Sequence, residues 1–331
     1  MGFSWEVFES SDVFRTLRKL TEQPTEAFTT QDALQHIHHL IVIEVAANRG
    51  KPVNGLINGA KPELAGILPD CVADVLVELA CRTDPPDQGR LVEFASQLYR
   101  QTELDPESGE PLRQDNRKVW SENNSLILSA NRTWRDRLGV SDSDWGGVFN
   151  IRTCNFSSQL KYSWFPELTG ILLIDADDVQ LSAEKKGRLV NLVAFTAQLT
   201  QAAPPELAYG NNPLHWAHIA LWSMRAAFED GIQLHEIVGT TTLQVACLWF
   251  TYAVDAVWAC VEKELQGGND FISGPGSQYK GKDWKGFNKE RWDIWVHRLE
   301  QARRLCNNSD RETINMIEDA LNKAETVKRE K

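Results

Sequence analysis

The chain is poor in the usual signatures of chemistry. Its six cysteines (Cys71, Cys81, Cys154, Cys247, Cys260, Cys306) form no CxxC pair and no compact framework, which argues against zinc-ribbon, thioredoxin-like and disulfide-stapled classes. They fall in apolar helical patterns and read as reduced, mostly buried thiols. No GxxxxGK run followed by the Ser or Thr of a phosphate loop is present, and no HExxH pair is present to hold a catalytic zinc. Positive charge is in short supply, 35 Lys and Arg against 46 Asp and Glu for a net charge of -11. That balance opposes a duplex nucleic acid or an anionic membrane surface as partner, since both need a concentrated basic face. The start, Met1-Gly-Phe-Ser-Trp-Glu-Val-Phe-Glu-Ser, has neither a basic opening nor an apolar core, so no secretory signal is expected. Gly2 lacks the Ser or Thr at position 6 that myristoylation wants, finding Glu6 instead. The expected compartment is the cytoplasm, with the nucleus left open, and the sequons at Asn123, Asn131, Asn155 and Asn307 matter only in a secreted chain.

What is present is an ordinary globular composition with one excess. Apolar residues make up 42% and charged residues 24% of 331 positions, so the chain has the means to fold. The excess is tryptophan, twelve residues whose indole N–H groups want partners and whose rings suit helical cores, interfaces and ligand pockets. Length alone allows about two domains of roughly 150 residues. The polar, turn-forming stretch Thr102-Glu-Leu-Asp-Pro-Glu-Ser-Gly-Glu-Pro is expected to separate an N-terminal helical subregion (residues 1–104) from a C-terminal helical region (112–331) packed against it as one compact unit. Further breaks fall at Gln201-Ala-Ala-Pro-Pro-Glu and Gly267-Gly-Asn-Asp.

Helical periodicity dominates. Val72, Val75, Leu76 and Leu79 after Pro69, and Leu91, Phe94, Ala95 and Leu98 after a cap at Asp87, each form an i, i+3, i+4, i+7 stripe. Helices are also expected near residues 116–137, 145–162 and 182–200, with caps at Ser182 and, with reciprocal spacing to Glu312, at Ser309. The run from Gly170 to Leu181 fits either a buried strand or an apolar helical turn or connector. The run from Leu243 to Val261 is long enough to cross a bilayer, but Asp255 costs about 2.5–3.5 kcal/mol there on insertion scales, so a central core helix is expected. No repeat period is evident. The fold class is therefore all-α, a multi-helix bundle or irregular helical solenoid of about ten to twelve helices.

Four residues are candidates for a binding or catalytic pocket: Arg152, His215, Trp249 and Asp255. Arg152 has the fork that grips a carboxylate or phosphate, and a neighbouring arginine would activate Cys154. Asp255, placed in an apolar helix, is expected to need a partner, either a ligand or an arginine such as Arg225 or Arg152. His36 with His39, and His215 with His218, sit one turn apart but lack a third ligand, so neither a metal nor a cofactor is expected. Glu44, in the middle of the Leu34, Ile37, Leu40, Ile41, Val45 stripe, calls for a partner across the core.

The C-terminal stretch combines a glycine-rich loop with an aromatic helix. Asn288 fits an N-cap, Phe287 and Trp292 fit a hydrophobic staple, and Trp292, Trp295, Val296 and Leu299 share one face. Tyr279-Lys-Gly-Lys with Gly286-Phe-Asn-Lys-Glu-Arg291-Trp292-Asp-Ile-Trp295, joined by the run from Trp145 to Phe156 and that from Leu214 to Trp222, resembles the fungal family known as domain of unknown function 3632, over roughly Asp115 to Ala302. This chain differs from the usual middle motif at Thr153 and at Ser157-Ser158. The resemblance implies an intracellular helical protein of filamentous fungi and supplies no catalytic residue. Two functions stay open: a scaffold or protein-interaction protein using a tryptophan-lined face, and an accessory enzyme or small-molecule binder, with secondary metabolism as one setting, built on the four candidates. A closed pocket where those groups converge favours the second, and a fully packed interior with an exposed aromatic patch the first.

Overall fold

A computed structural model describes residues 9–23, 25–49, 64–114, 117–133, 182–204, 212–266, 273–307 and 309–330. The expectations placed on residues 145–162 and 170–181, and with them Arg152 and Cys154, lie outside these. Among the described residues there are eleven α-helices and a single two-stranded antiparallel ribbon, β1 (Arg113–Gln114) with β2 (Arg117–Lys118). The protein is all-α. The chain divides into two compact units, residues 1–130 with 202–214, and residues 131–201 with 215–331.

In the first unit, α1 (Asp12–Glu22), α2 (Thr30–Asn48), α3 (Leu68–Arg82) and α4 (Gly89–Leu98) pack on one another, with α5 starting at Ser125. The expected apolar stripes form the interior: Val72, Val75, Leu76, Leu91, Phe94 and Ala95 have essentially no exposed surface. Caps follow simple chemistry. Ser11 accepts from Phe14 N–H at 3.1 Å, and Thr29 and Asp32 satisfy each other's backbone N–H at 3.1 and 2.8 Å in a capping box. One cap differs from expectation. Pro85, Pro86 and Asp87 form a short 3-10 turn, which moves the N-cap of α4 to Gln88. Glu44 finds its partner on its own helix, accepting from Asn48 Nδ2 at 3.1 Å rather than from across the core. The stretch from Thr102 to Pro111 is an ordered loop: Asp105 N donates to Glu110 O at 2.8 Å, and Gly109 at φ 69° closes the turn where a left-handed residue is required.

In the second unit, α9 (Thr241–Glu262) is the central helix. It packs against α7 (Ala217–Phe228), α8 (Leu234–Ile237), α10 (Lys289–Leu305) and α11 (Arg311–Glu330). By length and hydropathy α9 is capable of crossing a membrane, yet most of it is buried against its neighbours, as a core helix would be. Helix α6 (Ala183–Ala202) is capped by Ser182, whose Oγ accepts from Lys185 N–H at 3.3 Å, and it ties to the start of α7 through Trp216 N–H donating to Thr200 Oγ1 at 3.0 Å. At α11 the expected Ser309 cap is replaced by Asp310, which accepts from Thr313 N–H at 3.1 Å. The helix begins one residue later than the Ser-Glu spacing implied, and a carboxylate there favours the positive end of the helix dipole.

The candidate functional site is a buried arginine–glutamate clamp

The C-terminal motif folds around a charge pair without solvent access. Asn288 caps α10 as expected, accepting from Arg291 N–H at 2.9 Å, and this sets Arg291, Trp292 and Trp295 on the inward face. Arg291 and Glu229, which follows the last residue of α7, are both 0% exposed at the side chain. Arg291 Nε donates to Glu229 Oε1 and Nη2 to Oε2, each at 2.9 Å, a bidentate fork. Nη1 donates to the carbonyls of Ser273 at 2.8 Å and Gly286 at 2.7 Å, and Nη2 also to that of Gly274 at 3.2 Å. All five guanidinium N–H donors are thereby engaged.

Glu229 is matched with equal completeness. Beyond the arginine, Oε1 accepts from Trp295 Nε1 at 2.6 Å and Oε2 from Gly276 N–H at 2.9 Å, while its backbone carbonyl accepts from Gln278 N–H at 2.9 Å. The indole rings of Trp284 and Trp295 lie 5.2 and 5.7 Å from the guanidinium carbon. Two glycines make the approach possible. A Cβ on Gly276 would come within 2.5 Å of Glu229 Cβ, and one on Gly286, at φ 139°, within 2.1 Å of Leu265 O. Phe287 N–H donates to that same Leu265 carbonyl at 3.0 Å, and the Phe287 ring packs edge-on against Trp295 rather than stapling to Trp292. Trp292 instead meets Phe250 and Trp258 of α9 at 5.2 and 5.1 Å.

Of the sequence-predicted candidates, Arg152 lies outside the described residues and the other three are placed as follows. Trp249 is fully buried in α9, its Nε1 donating to Ser223 Oγ of α7 at 3.1 Å. Asp255, expected to be buried, lies at the surface, where it accepts from the Gln201 amide Nε2 at 3.0 Å. The reason is a polar stripe within α9 itself, Gln244, Thr251, Asp255 and Glu262, spaced as one helical face. His215 stands three residues before His218, which sits in a row of rings, with Trp216 stacked 6.4 Å away and Trp222 edge-on at 5.5 Å. Burial pushes both imidazoles down, His218 to about 3, so that His218 is neutral at physiological pH. Among the described residues no group of three His, Cys, Asp or Glu side chains is placed to hold a metal ion. The described cysteines are free thiols, and burial raises Cys260 to about 12 and Cys247 higher still, the opposite of what a nucleophile needs.

The first unit has a smaller acidic cluster. Glu103, 7% exposed, is held by the His38 ring Nδ1 at 2.5 Å and accepts from Trp120 Nε1 at 3.3 Å. Next to it the Ser108 hydroxyl and the Arg49 guanidinium hold Asp105 down at about 2. A family model described as Protein of unknown function (DUF3632) matches residues 74–299, more than half of the 331-residue chain. The chain belongs to this family. No curated protein and no solved structure matches it. The family stretch contains the whole clamp, Glu229, Ser273 to Gly286, Arg291 and Trp295, whereas His38 and Arg49 lie before it.

The reading from sequence missed Glu229 and Arg291. A signal for Arg291 was available: it shares its helical face with Trp295 and stands beside Trp292, so a charged residue was flush with the buried stripe. Glu229 carries no such mark, being 62 residues away in a turn.

Proposed function

We propose that this protein is an intracellular helical scaffold that works by binding another protein. The observation that carries the reading is the clamp: the most buried charges of the family region spend every donor and acceptor described on the fold, leaving no valence for a substrate. The wide separation in burial of Trp249 and Asp255 points the same way, since a pocket built on both would need them to face one cavity. Among the described residues no tryptophan face is offered to a partner, because all eight described tryptophans are buried.

A second reading, a small-molecule binder, draws on one feature. Among the described residues Tyr99 Oη and Ser96 Oγ, one turn apart on or just after α4, are buried without a hydrogen-bond partner, and buried polar groups of this kind suit a polar ligand. Native mass spectrometry of the protein purified from its own host discriminates the two. A stoichiometric protein complex supports the scaffold. A retained small molecule, lost from Tyr99→Phe, overturns it in favour of the binder.

A further inference from the structure

Helix α9 is interrupted at its centre. Ala253 has φ -139° and ψ 22°, outside helical values, in the middle of a 22-residue helix. The sequence offers no proline or glycine to account for the break, and mid-helix interruptions otherwise need something inserted into the hydrogen-bond ladder. Two side chains from neighbouring helices are inserted. Lys323 of α11 donates from Nζ to the Thr251 carbonyl at 2.7 Å. Gln201 of α6 accepts from Ala256 N–H at 3.3 Å through Oε1, while its Nε2 donates to Asp255 at 3.0 Å, which fixes which way the amide points. Lys323 is itself steered by Asp319 at 3.7 Å and lies 6.0 Å from the Tyr252 ring centre.

In an unbroken helix the Thr251 carbonyl would receive Asp255 N–H, and Ala256 N–H would donate to the Tyr252 carbonyl. The same backbone groups therefore have two sets of partners, side chains in the kinked form and each other in the straight form. That is the requirement for a two-state element. We propose that Ala253 is a hinge, latched in its bent state by Gln201 and Lys323, and that withdrawing either side chain lets α9 straighten. Both latch residues are reachable from solvent, Gln201 exposed and Lys323 with 41% of its side chain accessible, so a partner that engages them has the means to shift the balance. The output runs down the helix. Beyond the hinge, α9 carries Val257, Trp258 and Val261 in the core and leads to Leu265, whose carbonyl holds Phe287 beside the Arg291 clamp. Asp255 is thus a positioning residue for the latch.

The test is residue-resolved amide hydrogen exchange on the full chain, comparing wild type with Lys323→Met, Gln201→Ala and the double variant. The hinge predicts that Asp255 and Ala256 amides exchange about tenfold more slowly in the double variant, because they return to the helical ladder, with altered exchange at Phe287. Lys323→Arg, which keeps a donor, restores the wild-type rates in the single-site comparison. Unchanged or faster exchange at Asp255 and Ala256, in variants whose thermal midpoint matches wild type, overturns the hinge and makes the kink a fixed product of packing. A variant with a lowered midpoint is replaced by Asp255→Asn, which loosens the latch without touching α11, and the same two outcomes apply.

Discussion

Glu229→Gln is the sharpest perturbation of the clamp, because it keeps the shape of the side chain and removes only its charge and one acceptor. Glu229 accepts four hydrogen bonds, two at each carboxylate oxygen: Arg291 Nε and Trp295 Nε1 at Oε1, Arg291 Nη2 and Gly276 N–H at Oε2. Glutamine offers one oxygen. Whichever way its amide turns, an NH2 group faces two buried donors, and the Arg291 guanidinium is left without a counter-charge. Removing one partner of a buried pair costs about 3–5 kcal/mol, against a total stability of about 5–15 kcal/mol for a typical domain. Urea unfolding followed by tryptophan fluorescence measures it, since Trp284 and Trp295 report from beside the site. Replacing both partners by Met should cost much less than the sum of the two single changes, because an apolar pair leaves nothing unpaired. A Glu229→Gln protein within about 1 kcal/mol of wild type would refute the reasoning, since a merely exposed pair is worth that little.

Three further outcomes follow from the same geometry. Trp292→Ala and Trp295→Ala should each cost about 3–5 kcal/mol by leaving a cavity, measured as a fall in denaturant midpoint; stable variants would place these rings at a binding face instead. Gly286→Ala should destabilise the loop, because its φ of 139° and the Leu265 carbonyl 2.1 Å from a would-be Cβ leave no room, and limited proteolysis between Gly274 and Phe287 should report it. The third concerns pH. His218 has its pKa lowered from 6.5 to about 3 by burial and then by the neighbouring His215, so the unfolded chain takes up a proton that the folded one refuses. Stability from this group is complete above pH 6.5 and is lost as pH falls toward 3, with a slope of at most about 1.4 kcal/mol per pH unit. His215 adds to the same limb, whereas Asp105 contributes only lower down, between 3.8 and about 2. His218→Gln should flatten the slope of stability against pH above 4; an unchanged slope would mean the ring is hydrated.

Much of the fold was legible because it rests on local rules. Periodicity placed α3, α4, α9 and α10, and the chemistry of Asn288 and Ser182 placed two helix starts. The caps at Asp87 and Ser309 failed by one residue each, since adjacent acceptors compete for the same N–H groups and the choice is made by the preceding turn. Asp255 was misplaced because an apolar average hides a narrow polar face; the spacing of Gln244, Thr251, Asp255 and Glu262 carried that information. The candidate site was legible on one side only. Arg291 sits in a stripe of tryptophans, but its partners Glu229, Ser273 and Gly274 are brought to it by the path of the chain between α7 and α10, which no local pattern encodes. Nothing in the sequence marks Ala253 as a break either, because the side chains that hold it belong to α6 and α11.

The claim at the centre of this account is that Arg291 is committed to the fold. Side-chain nitrogen NMR of Arg291 addresses it directly. A closed clamp predicts Nε–H exchange slowed to near the rate of global unfolding and a resonance unmoved by added phosphate or acetate. Exchange at the rate of a free guanidinium, or a shift that saturates with either anion, would contradict the account and make Arg291 a ligand-binding residue.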